Sequence, residues 1–138
     1  MKRWMVIVLV MIALALGAGA QAYAGSGPDK VKAANERAAQ DYLKSGLLLA
    51  GEGRDDDAIK AFRQALGIQP DWAEVHSLLG SSLARTGDYS GAEAELRKAV
   101  ALKPDYAEGW NFLGEFLKDR GKAQEAQEAF KKAQQYAR

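Results

Sequence analysis

Residues 73–106 read AEVHSLLGSSLARTGDYSGAEAELRKAVALKPDY, and the chain on either side repeats the same plan. In register, residues 39–72 and 73–106 are full units of 34, and residues 107–138 form a third of 32. Gly46, Gly80 and Gly114 coincide at position 8, Leu49, Leu83 and Leu117 at 11, and Gly53, Gly87 and Gly121 at 15. Further on, Ala58, Ala92 and Ala126 share position 20, Phe62, Leu96 and Phe130 position 24, Ala65, Ala99 and Ala133 position 27, and Pro70 and Pro104 position 32. Self-similarity of this period means a stacked array, and it has to be found first because repeated structural letters otherwise pass for catalytic ones.

The columns describe a helix-turn-helix unit. Glycine at 8 and alanine at 20 and 27 let two antiparallel helices pass closely, with the bulky residue at 24 filling the space beside them. The glycine at 15 supplies a left-handed backbone that ends the first helix. Asp55 and Asp88 are expected to cap the second helices of the first two units, while Lys122-Ala123 leaves the third without such a cap. Pro70 and Pro104 stop the second helices, and Asp71 and Asp105 are expected to cap the helices that follow. Ahead of the first unit, Val31, Ala34 and Ala38 lead at helical spacing into Tyr42, which predicts a first helix extended back to about Pro28. At the far end, position 28 reads Leu66, Val100, then Gln134, and position 29 reads Gly67, Ala101, then Gln135. The last helix is therefore expected to act as its own polar cap, against end-to-end polymerisation.

This pattern resembles the tetratricopeptide repeat, whose skeleton is matched by Trp110-x2-Leu113-Gly114-x2-Leu117, then Ala126-x3-Phe130 and Ala133. The departures are Ser45 for the usual leucine at 7, His76 for the aromatic at 4, leucine for tyrosine at 11, and Arg138 where a proline stands. The resemblance implies an all-α, right-handed solenoid of three repeats and about six helices, occupying residues 39–138.

The front of the chain is a different object: 19 of its first 24 residues are apolar, against about 41% thereafter. Lys2 and Arg3 precede an unbroken apolar run from Trp4 to Leu16, and small residues follow to Ala24. That is the plan of a secretory signal peptide, residues 1–24, with cleavage after Ala24 or alternatively Ala20. The run falls short of the roughly 18 residues a membrane span needs. The expectations are release into a bacterial periplasm or, alternatively, an uncleaved anchor in the membrane. Residues 25–38 are then a linker and the extension of the first helix.

Composition excludes much chemistry. There is no cysteine and one histidine, which removes thiolate catalysis, disulfides and Cys/His zinc sites. Beyond the leader 17 basic residues face 18 acidic ones, a balance unlike that of a nucleic-acid-binding domain. His76 shares its column with Tyr42 and Trp110 and reads as a ring packed between helices. Asp55-Asp56-Asp57 lacks the spaced oxygens of a calcium loop and reads as first-turn carboxylates facing the helix dipole. Arg63, Arg97 and Lys131, with Lys98 and Lys132, form a basic column on the second helices, where Glu93 and Glu128 stand at pairing distance from Arg97 and Lys132. No enzyme, metal or cofactor is expected.

The resemblance also implies which face works: in the family, the first helices line a concave surface. Its positions here supply Leu43, Lys44 and Leu47, then Glu74, Ser77, Leu78, Ser81 and Arg85, then Glu108, Asn111, Phe112 and Glu115. Leu43, Leu47, Leu78 and Phe112 are not required by the skeleton, so their exposure would cost solubility unless something covers them. Some family members hold the terminal carboxylate of chaperone tails with Lys, Asn and Arg, and the corresponding positions here are Leu43, Leu47, Leu78, Glu108 and Phe112. Chaperone tails are therefore not the expected partner. The expectation is a non-enzymatic adaptor whose groove takes a peptide or amphipathic segment of an envelope protein carrying some positive charge. The alternative is a membrane-anchored structural subunit that self-associates.

Overall fold

The computed structural model describes residues 27–137. The expected signal segment and its cleavage site lie outside them. Six helices occur among the described residues: α1 (Gly27–Gly51), α2 (Asp55–Ile68), α3 (Ala73–Thr86), α4 (Tyr89–Leu102), α5 (Ala107–Asp119) and α6 (Ala123–Tyr136). No strand accompanies them, and none of these helices is long and apolar enough to cross a membrane. Contacts set the opening of α1, residues 27–35, which is exposed, apart from a second, compact unit that begins at Glu36. The second is the solenoid, in which α1/α2, α3/α4 and α5/α6 are the three helical pairs.

Every first helix ends in the same way. Gly53, Gly87 and Gly121 have φ of +76°, +90° and +75°, a conformation that costs glycine little. The amide that follows each glycine reaches back to the carbonyl of the position-11 leucine: Arg54 to Leu49, Asp88 to Leu83 and Lys122 to Leu117, each at 2.9 Å. These paired backward bonds satisfy carbonyls that a helix end otherwise leaves unpaired.

The helix starts depart from expectation. The residue after the glycine caps the second helix, and that column reads Arg54, Asp88, Lys122. Only Asp88 offers an oxygen, which accepts the Gly91 amide at 3.0 Å. Asp55 stands one residue later, inside the first turn of α2, and its carboxylate takes Arg85 instead. Asp71 and Asp105 do not cap either. The turn after each proline runs through one more residue, so that Trp72 and Tyr106 occupy the cap positions in extended conformation with no side-chain acceptor.

The core follows the columns. A methyl group placed on Gly46 would lie 2.5 Å from Phe62, on Gly80 2.7 Å from Leu96, and on Gly114 2.7 Å from Phe130, so the position-8 glycine is a seat for the position-24 side chain in all three pairs. Ala58, Ala92, Ala126, Ala65, Ala99 and Ala133 are buried beside them. Leu79, Leu83, Leu96, Leu113 and Leu117 are buried too and join the pairs into one core, each contributing roughly 1.5–3 kcal/mol of burial.

The departure at Ser45 has a packing reason. Position 7 is buried in the second and third repeats, at Leu79 and Leu113, and position 3 likewise, at Val75 and Gly109, whereas Asp41 and Ser45 are exposed on α1. The same stripe continues to Leu48, which is 62% exposed where Ser82 and Phe116 are buried. At the other end Gln134 is exposed where Val100 is buried, as a polar cap requires. Position 29 carries no such information, because Gly67, Ala101 and Gln135 are all exposed.

Candidate functional site

The parallel first helices α1, α3 and α5 bring equivalent positions into rows, and packing sorts the groove candidates into three depths. Leu47 and Phe112 are exposed at 47% and 36%. Leu43 and Leu78 are half-buried, with one side against the core. Ser77 is fully buried and does not line the surface, a correction to the sequence reading; its hydroxyl donates to the Glu74 carbonyl at 2.8 Å. What covers Ser77 is Tyr106, whose ring folds back against Gly109 and whose hydroxyl lies near Ser77 and, at 3.4 Å, near Glu108. Burial pushes the Tyr106 phenol above its ordinary range. The signal available in the sequence was Gly109, a small residue at a position where Val75 stands one repeat earlier.

The polar members separate by partner. Glu74 accepts from the Lys103 ammonium at 2.6 Å, and this bond holds its carboxyl below the usual carboxylate range. Arg85 donates from Nε and Nη2 to Asp55 Oδ1 at 2.8 and 2.6 Å, fastening the end of α3 to the start of α2 and lowering the Asp55 carboxyl. Lys44, Asn111 and Glu108 are exposed, Ser81 is half-buried, and Glu115 is exposed with Lys118 at 3.7 Å. The row nearest the helix starts is thus Gln40, Glu74, Glu108, and the row through the middle is Lys44, Leu78, Phe112.

His76 is buried as expected, and it also has a specific partner. Its Nε2 lies 2.7 Å from the Pro70 carbonyl, matching the Trp110 Nε1–H that donates to the Pro104 carbonyl at 2.8 Å. A carbonyl only accepts, so Nε2 carries a proton. The second ring nitrogen, Nδ1, lies 2.5 Å from Glu95 Oε2. Position 23 reads Ala61, Glu95, Ala129, so the carboxyl appears in the one repeat whose ring has a second nitrogen to satisfy. No buried side-chain polar atom among the described residues lacks a partner.

Of the basic column on the second helices, Arg97 is drawn into an ion-pair network. Arg97 bridges Glu93 at 2.8 Å and Glu125 at 2.6 Å, and Lys122 reaches Glu93 at 2.9 Å, so α4 and α6 are joined across a repeat boundary. Lys122, then Arg97, holds the Glu93 carboxyl below its usual range. Lys132 does not pair with Glu128; its ammonium sits 4.2 Å over the Trp110 ring, where the aromatic face attracts it. At the same boundary Arg120 stacks on Tyr89 at 3.9 Å.

Two models, each described as Tetratricopeptide repeat, match residues 49–116 and 107–138, together most of the helical array. The chain belongs to the tetratricopeptide repeat family. No curated protein matches it. Among solved tetratricopeptide structures, the Sgt2 domain from Aspergillus fumigatus superposes with a TM-score of 0.69 at 22% identity, over 72% of this chain and 66% of the other. MamA superposes at 0.67 with 27% identity, over 78% of this chain and 63% of its own. The chain thus spans just under two thirds of the length of each. The second tetratricopeptide domain of Spaghetti (RPAP3), bound to the HSP90 peptide SRMEEVD, superposes at 0.70 with 19% identity, over 78% of this chain and 98% of the other. These likenesses show the all-α solenoid; the family is a protein-interaction module, and some relatives of this fold are seen with a peptide bound.

Proposed function

We propose that this protein is a non-enzymatic adaptor whose concave face takes a peptide or amphipathic segment of an envelope protein. The observation that carries the reading is that the fold buries its core without covering Leu47 and Phe112, with Leu43 and Leu78 forming the apolar floor between them. Each exposed anchor covered by a partner contributes roughly 1.5–3 kcal/mol before ordering costs. The groove is largely preformed, so little of that is spent on rearrangement. The leader supports a site of action beyond the cytoplasmic membrane, in the periplasm or anchored at its face.

The Spaghetti (RPAP3) domains hold an HSP90 tail, an acidic peptide. This groove is suited to something else. The cationic clamp positions are Leu43, Leu47, Leu78, Glu108 and Phe112, and Arg85 is already neutralised by Asp55. Leu48, exposed on the outer stripe of α1, favours a second reading in which the chain self-associates as an anchored subunit.

The test is crosslinked capture with the tagged full-length protein in its own host, comparing it with Leu47→Glu/Phe112→Glu. Those two side chains are chosen because Leu78 packs on the core and would confound binding with folding. A partner held by the unaltered protein and lost from the folded double variant supports the groove; equal retention by both contradicts it. A mass that rises with concentration and falls in Leu48→Glu would favour self-association.

A further inference from the structure

We infer that the groove is electrically polar along its length and selects a segment with an acidic residue at its α1 end and basic residues at its α5 end. This deepens the reading above and rests on the groove being the binding face. The charges of the middle repeat are spent within the fold: Glu74 is closed by Lys103 and Arg85 by Asp55, both at 2.6 Å. The first repeat presents one groove charge, Lys44, because its companions in the same rows are Gln40, Leu47 and Gly51. Lys44 is exposed and forms no ion pair among the described residues. In the third repeat Glu108, Glu115 and Asp119 outnumber Lys118, whose contact with Glu115 is long at 3.7 Å and exposed on both sides. Among the described residues Glu108 meets the Tyr106 hydroxyl, at 3.4 Å, and no cation.

Positive at one end and negative at the other, the groove carries apolar side chains across its whole width: Leu43 and Leu47 flank Lys44 on α1, Leu78 stands on α3, and Phe112 lies between Glu108 and Glu115 on α5. Packed helices lie about 8–10 Å apart, which puts Lys44 and the α5 carboxylates roughly 20 Å from each other. About six extended residues, or about thirteen helical ones, span that distance. The occupant is therefore a short segment with apolar residues along its length and opposite charges at its ends. A uniformly acidic tail meets the α5 carboxylates, and a uniformly basic one meets Lys44. Like charges brought together in this way reject wrong partners as effectively as contacts recruit the right one.

The experiment is selection of random dodecapeptides on the protein purified from its host, with its leader as found there, against three variants: Leu47→Glu/Phe112→Glu, Lys44→Glu and Glu108→Lys/Glu115→Lys. The expected result is enrichment of peptides with several apolar residues, an acidic residue at one end and basic residues at the other, lost from Leu47→Glu/Phe112→Glu. Lys44→Glu should weaken a selected peptide about tenfold, and exchanging that peptide's acidic residue for lysine should restore it. Glu108→Lys/Glu115→Lys should turn the preference at the other end from basic to acidic. Peptides enriched with no charge bias, or with one sign throughout, overturn the polar groove while leaving the groove itself. Enrichment that survives Leu47→Glu/Phe112→Glu, or no enrichment at all, overturns the binding face and this inference with it.

Discussion

At Gly80 an added methyl would meet the Leu96 Cγ at 2.7 Å and the Ala92 carbonyl oxygen at 3.1 Å, neither the loose end of a side chain. Gly80→Ala should therefore lower stability by about 1–3 kcal/mol in urea unfolding. Gly67, inside α2 with open space around it, should respond oppositely, Gly67→Ala gaining about 0.5–1 kcal/mol as the unfolded chain loses freedom. The Gly80 column was visible in the sequence because close approach leaves a small letter in each repeat. The His76 pair was harder to see, since a glutamate on a second helix looks like solvent-facing charge until Glu95 is set against Ala61 and Ala129. Glu95→Ala strands the ring Nδ1 and should cost about 1–3 kcal/mol. His76→Trp/Glu95→Ala, which copies the third repeat, should recover most of that loss; equal melting of the single and double variants would mean the two residues are not coupled.

Between elements, the ion pairs sit on the repeat boundaries or within the middle repeat. Asp55 joins α2 to α3, Glu93 joins α4 to α6, and Glu74 joins α3 to the turn after α4. All three carboxyls are held below their ordinary range by a neighbouring cation, the Arg85, Lys122 and Lys103 bonds being the largest causes. A depressed carboxyl stabilises the folded state above its unfolded value, near 4, and that contribution disappears as pH falls through the folded value. Stability should thus be level from about pH 7 to 5 and decline below about 4, and Arg85→Gln should shrink the decline by removing the Asp55 contribution. An unchanged acid profile in that variant would mean the bridge does nothing for the junction. The helix ends were legible from Gly53, Gly87 and Gly121, whose positive φ few other residues adopt. The starts were not: several acidic residues cluster near each turn, and only backbone geometry decides that Asp88 caps while Asp55, Asp71 and Asp105 do not.

For the whole molecule, the three repeats and the polar face of α6 at Gln134 were written in the sequence as columns and as breaks in those columns. The groove was legible in outline only. Rows of equivalent positions named its members, but which of them surface depends on side chains arriving from elsewhere, as Tyr106 covers Ser77 and Lys103 closes Glu74. Because Leu47 and Phe112 are exposed and make little of the core, Leu47→Glu/Phe112→Glu should leave helicity intact and stability within about 0.5 kcal/mol per site, as for other surface changes. A cooperative loss of structure would mean these side chains belong to the core. The most direct test of the adaptor reading is site-specific photocrosslinking in the intact host envelope, with the probe placed in turn at Leu47, Phe112 and, on the opposite helices, Gln64 and Lys98. One partner should be captured from Leu47 and Phe112 and not from Gln64 or Lys98. Capture confined to Gln64 and Lys98 would contradict that reading and place the working surface on the second helices.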